Sequence, residues 1–326
     1  MRGWNSKTSH STTMALTLLE AAKLEQDPLK SAVINEFAAG EILGVVPFEN
    51  EEGTGVHYNR VDQLPGVGFR GLNEGFDESS GVLNPQSEAF RIFGGDLDVD
   101  SALVAMKGQR IRQAHEQLKI EASRINWEYQ FIKGDSTVDA RGFDGLQKRI
   151  TGSQLLSNAD GGGALSLAKL DGLLSQIKMG GGRTVLIMSR KMRDVRLTAA
   201  SRATGVGGFL TYTTDTFGRP VTSYAGVPIL VDDISSPILT FTETSPDGTT
   251  STACTSIYAV TFGPMMVTGI QGRNASGGFG IDARDLGELD SKPVYRTRVD
   301  WNCSFAIYNG YSVARLAGIT DAPVVA

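Results

Sequence analysis

Histidine and cysteine, the side chains most often recruited for metal binding and nucleophilic chemistry, are scarce here: three histidines and two cysteines in 326 residues. Cys254 and Cys303 are too few for a disulfide framework, and neither has the Cys-x-x-Cys or Cys/His spacing that zinc requires. His10, His57 and His115 fall in a polar leader, a strand-like stretch and a helix-like stretch, without companion acids at catalytic spacing. Glycines cluster at 161–163, 180–182 and 205–208, yet there is no G-x-x-x-x-G-K-[ST] motif and no G-x-G-x-x-G between a strand and a helix. A G-x-S-x-G elbow is also missing. The sequence therefore offers no catalytic residue, no cofactor-binding residue and no metal ligands, and an enzyme is not expected.

Long apolar runs are missing too. None approaches the ~20 residues that a membrane-crossing helix needs, and the N-terminus lacks the regions of a secretory signal, so no membrane partner is expected. The formal net charge of -5 argues against a domain devoted to nucleic-acid binding, which would be basic overall. A last absence is local: no lysine stands between Lys30 and Lys107.

What is present is unevenly arranged. From Val61 to Asp100 eight acids face only Arg70 and Arg91, while from Arg183 to Arg202 six bases face only Asp194. Segments of opposite sign suit the meeting surfaces of neighbouring copies of one chain.

The first 13 residues, "MRGWNSKTSHSTT", are polar and patternless and read as a disordered or non-native leader. A helix is expected over Leu16 to Leu24, then a break at Asp27-Pro28, then an apolar stretch from Val33 to Phe48 that runs into the acidic turn "ENEEGTG". "VHYNRV" (56–61) and "EAFRIFGGDLDVD" (88–100) have strand composition, and glycine or proline recurs every few residues between them. This predicts a two-stranded ribbon with an irregular tip. An isolated hairpin is only marginally stable, so the ribbon should rest on something else. Its tip, "GFRGLNEGFDESSG" (68–81), is too glycine-rich for core and too poor in reactive groups for an active site.

From Ser101 to Lys133, Val104, Ile111, Ala114, Leu118, Ala122, Ile125, Tyr129 and Ile132 follow helical spacing. They predict one helix of roughly 50 Å, capped by Asp100, ended at Gly134 and interrupted at Gly108. An α/β pattern follows: helix over 164–178, strand over 183–189, helix over 190–201 and strand over 225–233. "SPDGTTS" predicts a hairpin between "ILTFTET" and "SIYAVTFG", and the alternating stretches "MMVTGIQG" and "VYRTRVDWNCSFAIYNGYSVARLAGI" close the chain as strands.

This order of elements, nearly the whole chain from Met14, resembles the Hong Kong 97-type major capsid protein of tailed bacteriophages. The stretch from "LPGVGFRG" to "DLDVD" looks like its extended E-loop. "SALVAMKGQRIRQAHEQLKIEASRINWEYQFIKGD" is similar to its spine helix, and "TVLIMSRKMRDVRLTAAS" with "AGVPILVDD" to its axial domain. The fold so implied is α+β: an N-terminal arm (14–55), the E-loop ribbon (56–100), a peripheral domain with the spine helix (101–160), a mixed α/β axial domain (161–260) and C-terminal strands returning to the peripheral domain (261–326).

The resemblance implies a structural protein that self-assembles as hexamers and pentamers into an icosahedral shell around double-stranded DNA, in the virion after assembly in the host cytoplasm. It implies an E-loop laid across the neighbouring subunit, with Phe69, Arg70, Glu74, Phe76, Asp77 and Glu78 as contacts. Lys107, Arg110, Arg112, Lys119 and Arg124 of the spine helix are candidates for weak, sequence-independent contact with packaged DNA. Further implied partners are a separate scaffolding protein, since only 14–55 precede the ribbon, a portal protein and a decoration protein. Two alternatives stay open: an encapsulin-type nanocompartment shell of the same fold, and an α/β enzyme with an unusual insertion. One branch of the family locks its shell by isopeptide bonds from an E-loop lysine to a neighbour's asparagine. The lysine gap leaves this loop without that nucleophile, and arginine, always protonated, cannot replace it.

Overall fold

The computed structural model of the protein describes residues 16–18, 20, 23, 28–38, 40–63, 65–78, 80–203, 210–214, 220–232, 236–244 and 253–325. In the arm, a two-residue strand β1 (Leu16–Thr17) is followed by helix α1 (Pro28–Ala38) and strand β2 (Pro47–Asn50). Strands β3 (Gly55–Gln63) and β4 (Val82–Ala89) form the ribbon, and β5 (Arg91–Asp100) leads out of it. Helices α2 (Ser101–Lys107), α3 (Gln109–Lys133) and α4 (Leu146–Arg149) precede strand β6 (Leu155–Ser157), helix α5 (Leu167–Ser175) and strand β7 (Arg183–Met188). A π-helical turn (Met192–Leu197) then enters helix α6 (Thr198–Ala203). Strands β8 (Leu210–Thr214), β9 (Pro220–Tyr224), β10 (Val227–Val231), β11 (Cys254–Phe262), β12 (Val267–Gln271), β13 (Asp282–Leu289), β14 (Lys292–Ile307) and β15 (Val313–Thr320) complete the order.

One mixed sheet organises the body, with β11 antiparallel to β7 and β15, and β7 parallel to β10. Successive strand residues point to opposite faces, so a strand buried on both sides must be apolar without a break. The run Val185–Met188 meets this need: Val185 and Ile187 enter one hydrophobic cluster, Leu186 and Met188 the other. Strand β11 divides likewise, Tyr258 and Val260 against Ile257 and Ala259. The first cluster is aromatic, built where α3 crosses the arm and β14: Trp127, Phe131, Phe37, Phe48, Trp301 and Phe305 are all buried. The second is aliphatic and lies under α5, whose Leu170, Leu173 and Leu174 pack against the sheet.

Several expectations are corrected by the structure. The ribbon pairs β3 with β4, from Gly55 opposite Ala89 to Gln63 opposite Val82, and of the expected second strand, 88–100, only Glu88 and Ala89 take part. Residues 91–100 instead pair along β14, from Arg91 opposite Cys303 to Asp100 opposite Val294, so the two-stranded ribbon spans 55–89. Asp100 does cap its helix, accepting from Ala102 N at 2.8 Å, but Gly108 (φ 77°) divides the run into α2 and α3. The predicted stripe is only partly the buried face: Ala114, Leu118, Ala122 and Tyr129 are exposed, whereas Ile120, Arg124, Trp127, Glu128, Phe131 and Ile132 are buried. Two large aromatics one turn apart bury more area than several alanines, and their face wins the core.

The 190–201 helix contains the π turn, and 238–244 holds no strand beyond a bridge from Glu243 to Cys254. Strands β8, β9 and β13 were not anticipated. The leader, most of the Leu16 to Leu24 helix and the "SPDGTTS" hairpin lie outside the described residues; Leu16 and Thr17 pair as a strand with β2. Since β11 joins β7, β12 and β15 in one sheet, 161–260 and 261–326 share a continuous scaffold.

Candidate assembly surfaces

Among the described residues, the three most exposed large apolar side chains all lie at the ribbon tip. Val67 is 96% exposed, Phe69 110%, Leu72 97% and Phe76 68%, within one short loop. Clustered exposure of this kind marks a surface meant to be covered, whereas single exposed residues need no explanation. The loop is not shapeless. Asn73 adopts a positive φ of 66°, Glu74 N donates to Gly71 O at 3.3 Å, and Gly71 N donates back to the Glu74 carboxylate at 2.8 Å. Arg70 donates to Glu74 O at 3.0 Å and stacks its guanidinium 5.2 Å from the Phe76 ring centre. Three of the six expected contact residues, Arg70, Glu74 and Phe76, are thus gathered around one turn, while Phe69, Asp77 and Glu78 are exposed, the two acids with no ion pair among the described residues.

At its root the ribbon is fastened to the body. Arg149 of α4 holds Glu88 of β4 through two bonds of 2.6 and 2.8 Å, and its guanidinium lies 4.2 Å from the ring centre of Phe305. Tyr58 meets Tyr308 edge-on at 4.7 Å, and Arg60 donates to Ile307 O at 3.0 Å. Burial pushes the Tyr58 phenol above its ordinary range, so it stays neutral and accepts from Ile307 N at 3.3 Å.

The opposed charge segments are largely answered inside the chain. Arg298 binds Asp96 at 2.6 and 2.8 Å, and Arg296 binds Asp98 through two bonds of 2.6 Å. On the basic side, Lys191 and Arg196 both pair with Asp321, and Arg193 pairs with Asp194 at 2.7 Å. Among the described residues of the two segments, Asp77 and Glu78 at the tip and Arg183 and Arg202 on the other segment are exposed without an ion pair, as are Glu74 and Asp100, whose carboxylates accept from backbone N–H groups. The clue to the ladder was present in sequence, because Asp96-x-Asp98 and Arg296-x-Arg298 share the two-residue period of one strand face. Only the fold shows that they are neighbours.

The basic residues of the spine helix divide. Lys107 and Arg110 are exposed and Lys119 is half-buried. Arg112 is spent on Glu116 at 3.2 Å and Asp285 at 2.6 Å, and Arg124 is 7% exposed beside Glu128. These two stabilise the body and are not available to a ligand. At the far end of α3, Lys133 approaches Glu243 at 3.3 Å, and Arg315 binds the same carboxylate at 3.1 Å, an interior cluster that no sequence spacing announces.

Among the described residues no group of three or more histidine, cysteine, aspartate or glutamate side chains is placed to hold a metal ion, and no helix is long and apolar enough to cross a membrane. Both cysteines are buried, and burial pushes the Cys303 thiol up to about 12.

No protein-family model matches the sequence, and no curated protein matches it. Solved structures do. The chain is similar to a chain of the holo-SrpI encapsulin complex from Synechococcus elongatus PCC 7942, with a TM-score of 0.63 and 18% identity over 87% of this chain and 89% of that one. It is similar to the capsid of cyanophage A-1(L), with a TM-score of 0.61 and 12% identity over 86% and 93%. The capsid of a native GTA particle gives 0.58 and 13% over 87% and 91%. At such identities the likeness is one of fold, and the fold is Hong Kong 97-like.

Proposed function

We propose that this chain is the major capsid protein of a tailed bacteriophage, assembling as hexamers and pentamers into an icosahedral shell around double-stranded DNA. The observation that carries the reading is the ribbon tip. A subunit that buries Trp127 and Trp301 completely while leaving Phe69 and Leu72 in water is finished only when another copy covers them. Phe69, Arg70, Glu74, Phe76, Asp77 and Glu78 are then contacts between subunits. Lys107, Arg110 and Lys119 supply weak, salt-sensitive contact with the packaged genome. Scaffolding, portal and decoration proteins complete the set of partners, and the shell's role is structural and not catalytic.

A second reading has its own support. The similarity to a chain of an encapsulin complex, at a TM-score of 0.63, favours a nanocompartment that holds protein cargo. Purified particles decide between the two. Electron microscopy should show closed shells. Nuclease-protected double-stranded DNA inside them supports the capsid, protein cargo without DNA supports the nanocompartment, and a subunit that remains monomeric at high concentration overturns both. Deleting 68–81 should abolish shells; intact, equally stable shells would remove the tip from its role.

A further inference from the structure

A cavity of about 170 Å³ opens at the root of the ribbon, between the β14–β15 turn and the segment after α4, lined by Arg60, Ser153, Gln154, Ile307 and Tyr311 among others. It contains polar groups that the chain leaves unanswered. Gln154 is 7% exposed, and neither its amide nitrogen nor its amide oxygen has a partner among the described residues. A buried polar group left unpaired carries its full desolvation penalty, so glutamine is a poor choice as mere filler there. Arg60 adds another: one guanidinium nitrogen donates to Ile307 O, but its Nε is buried without a partner. Arg149, on the same cavity, is occupied by Glu88 and by the carbonyls of Asp144 and Phe305. The free donor capacity is thus that of Arg60 and Gln154.

Arg60 and Gln154 both line this cavity; a guanidinium N–H and an amide N–H brought to one carboxylate can both donate to it, while the amide oxygen of Gln154 can take a backbone N–H from the segment that carries it. The volume suffices, since a water takes about 30 Å³. Most acids of the ribbon region are already committed: Glu74 to the Gly71 turn, Glu88 to Arg149, Asp96 and Asp98 to Arg298 and Arg296. Asp77 and Glu78 are not, and they sit beside the apolar tip that also lacks cover.

We propose that the Arg60–Gln154 cavity at the root of each ribbon receives the Asp77–Glu78 carboxylates from the tip of a neighbouring copy's ribbon. The contact is head-to-tail, so repetition closes a ring when the rotation between copies allows it. The inference rests on the shell reading and goes beyond it by naming the receptor of the loop.

Paired cysteines test this in the full chain. Ser153→Cys on the cavity rim combined with Glu78→Cys at the tip, oxidised in assembled particles, should give a ladder of covalent multimers in denaturing gels without reductant. Each single variant should give none beyond a dimer, and the buried native cysteines stay silent. Separately, Arg60→Glu should lower the assembled fraction at fixed concentration about tenfold, with recovery when Asp77→Arg and Glu78→Arg are added, and Gln154→Leu should lower it less. Circular dichroism reports whether each variant folds. Particles that form without a ladder, or with Arg60→Glu assembling like the wild type, overturn the cavity assignment and leave the shell reading standing. A wild-type chain that never assembles overturns both.

Discussion

The indole rings of Trp127 and Trp301 stack at 24° with centres 5.9 Å apart, joining helix α3 to strand β14 at the middle of the aromatic core. Trp127 also stacks on Phe131 at 5.3 Å, and Trp301 meets Phe37 edge-on at 5.9 Å. Removing a fully buried ring leaves a cavity that this packing cannot close. Trp127→Ala should therefore cost about 3–5 kcal/mol, read as a lower urea midpoint of the unassembled subunit. A loss under about 1 kcal/mol would mean that the core relaxes around the gap.

Phe69 makes the opposite case. Fully exposed in the subunit, it contributes no burial to the fold. Phe69→Ala should change the subunit's stability by no more than about 0.5 kcal/mol while raising the concentration at which particles form, measured by light scattering. Equal losses in both measurements would show that the tip packs within its own subunit.

How much of this was legible beforehand follows from distance along the chain. Local signals were readable: the cap at Asp100 and the apolar run of β7. The partner of β5 was not, because the carboxylates of Asp96 and Asp98 find their arginines about 200 positions later on β14. Nor was the burial of Arg124, since helical spacing gives two plausible faces on α3 and only the aromatic core decides between them. The Arg60–Gln154 cavity is assembled from three separated segments, none with a motif of its own.

The cross-strand ladder predicts a pH dependence. Hydrogen bonds from Arg298 hold the Asp96 carboxyl below its usual value of 3.8, and those from Arg296 do the same for Asp98. A carboxylate whose pKa is lowered by folding stabilises the fold above its ordinary value. That contribution is lost as pH falls through the lowered one. The Arg296→Gln, Arg298→Gln double variant should therefore unfold at lower urea concentration than the wild type near neutral pH, with the gap closing as pH falls below about 4. A gap of constant size would show that the arginines act by packing alone. Because the pairs are on the surface, added salt should narrow the gap as well.

The lysine gap makes the last prediction chemical. An isopeptide lock needs an amine that can lose its proton and attack a carboxamide, with a carboxylate to take that proton. The ribbon tip has carboxylates, and Asn302 and Asn309 are carboxamides elsewhere in the chain, but between Lys30 and Lys107 no side chain carries a primary amine. Arg70, at the tip, lies over the Phe76 ring, and a guanidinium does not serve as such a nucleophile. The shell is thus expected to be held by burial of the tip and by charge pairs, without covalent links between subunits. Boiled in denaturing detergent with reductant, mature particles should release one band near 34.8 kDa. Introducing Leu72→Lys should not create a ladder either, because the amine would also need a buried carboxylate beside it, and Glu74 is committed to Gly71. Covalent multimers in the wild type that survive reductant would show that another nucleophile serves the loop.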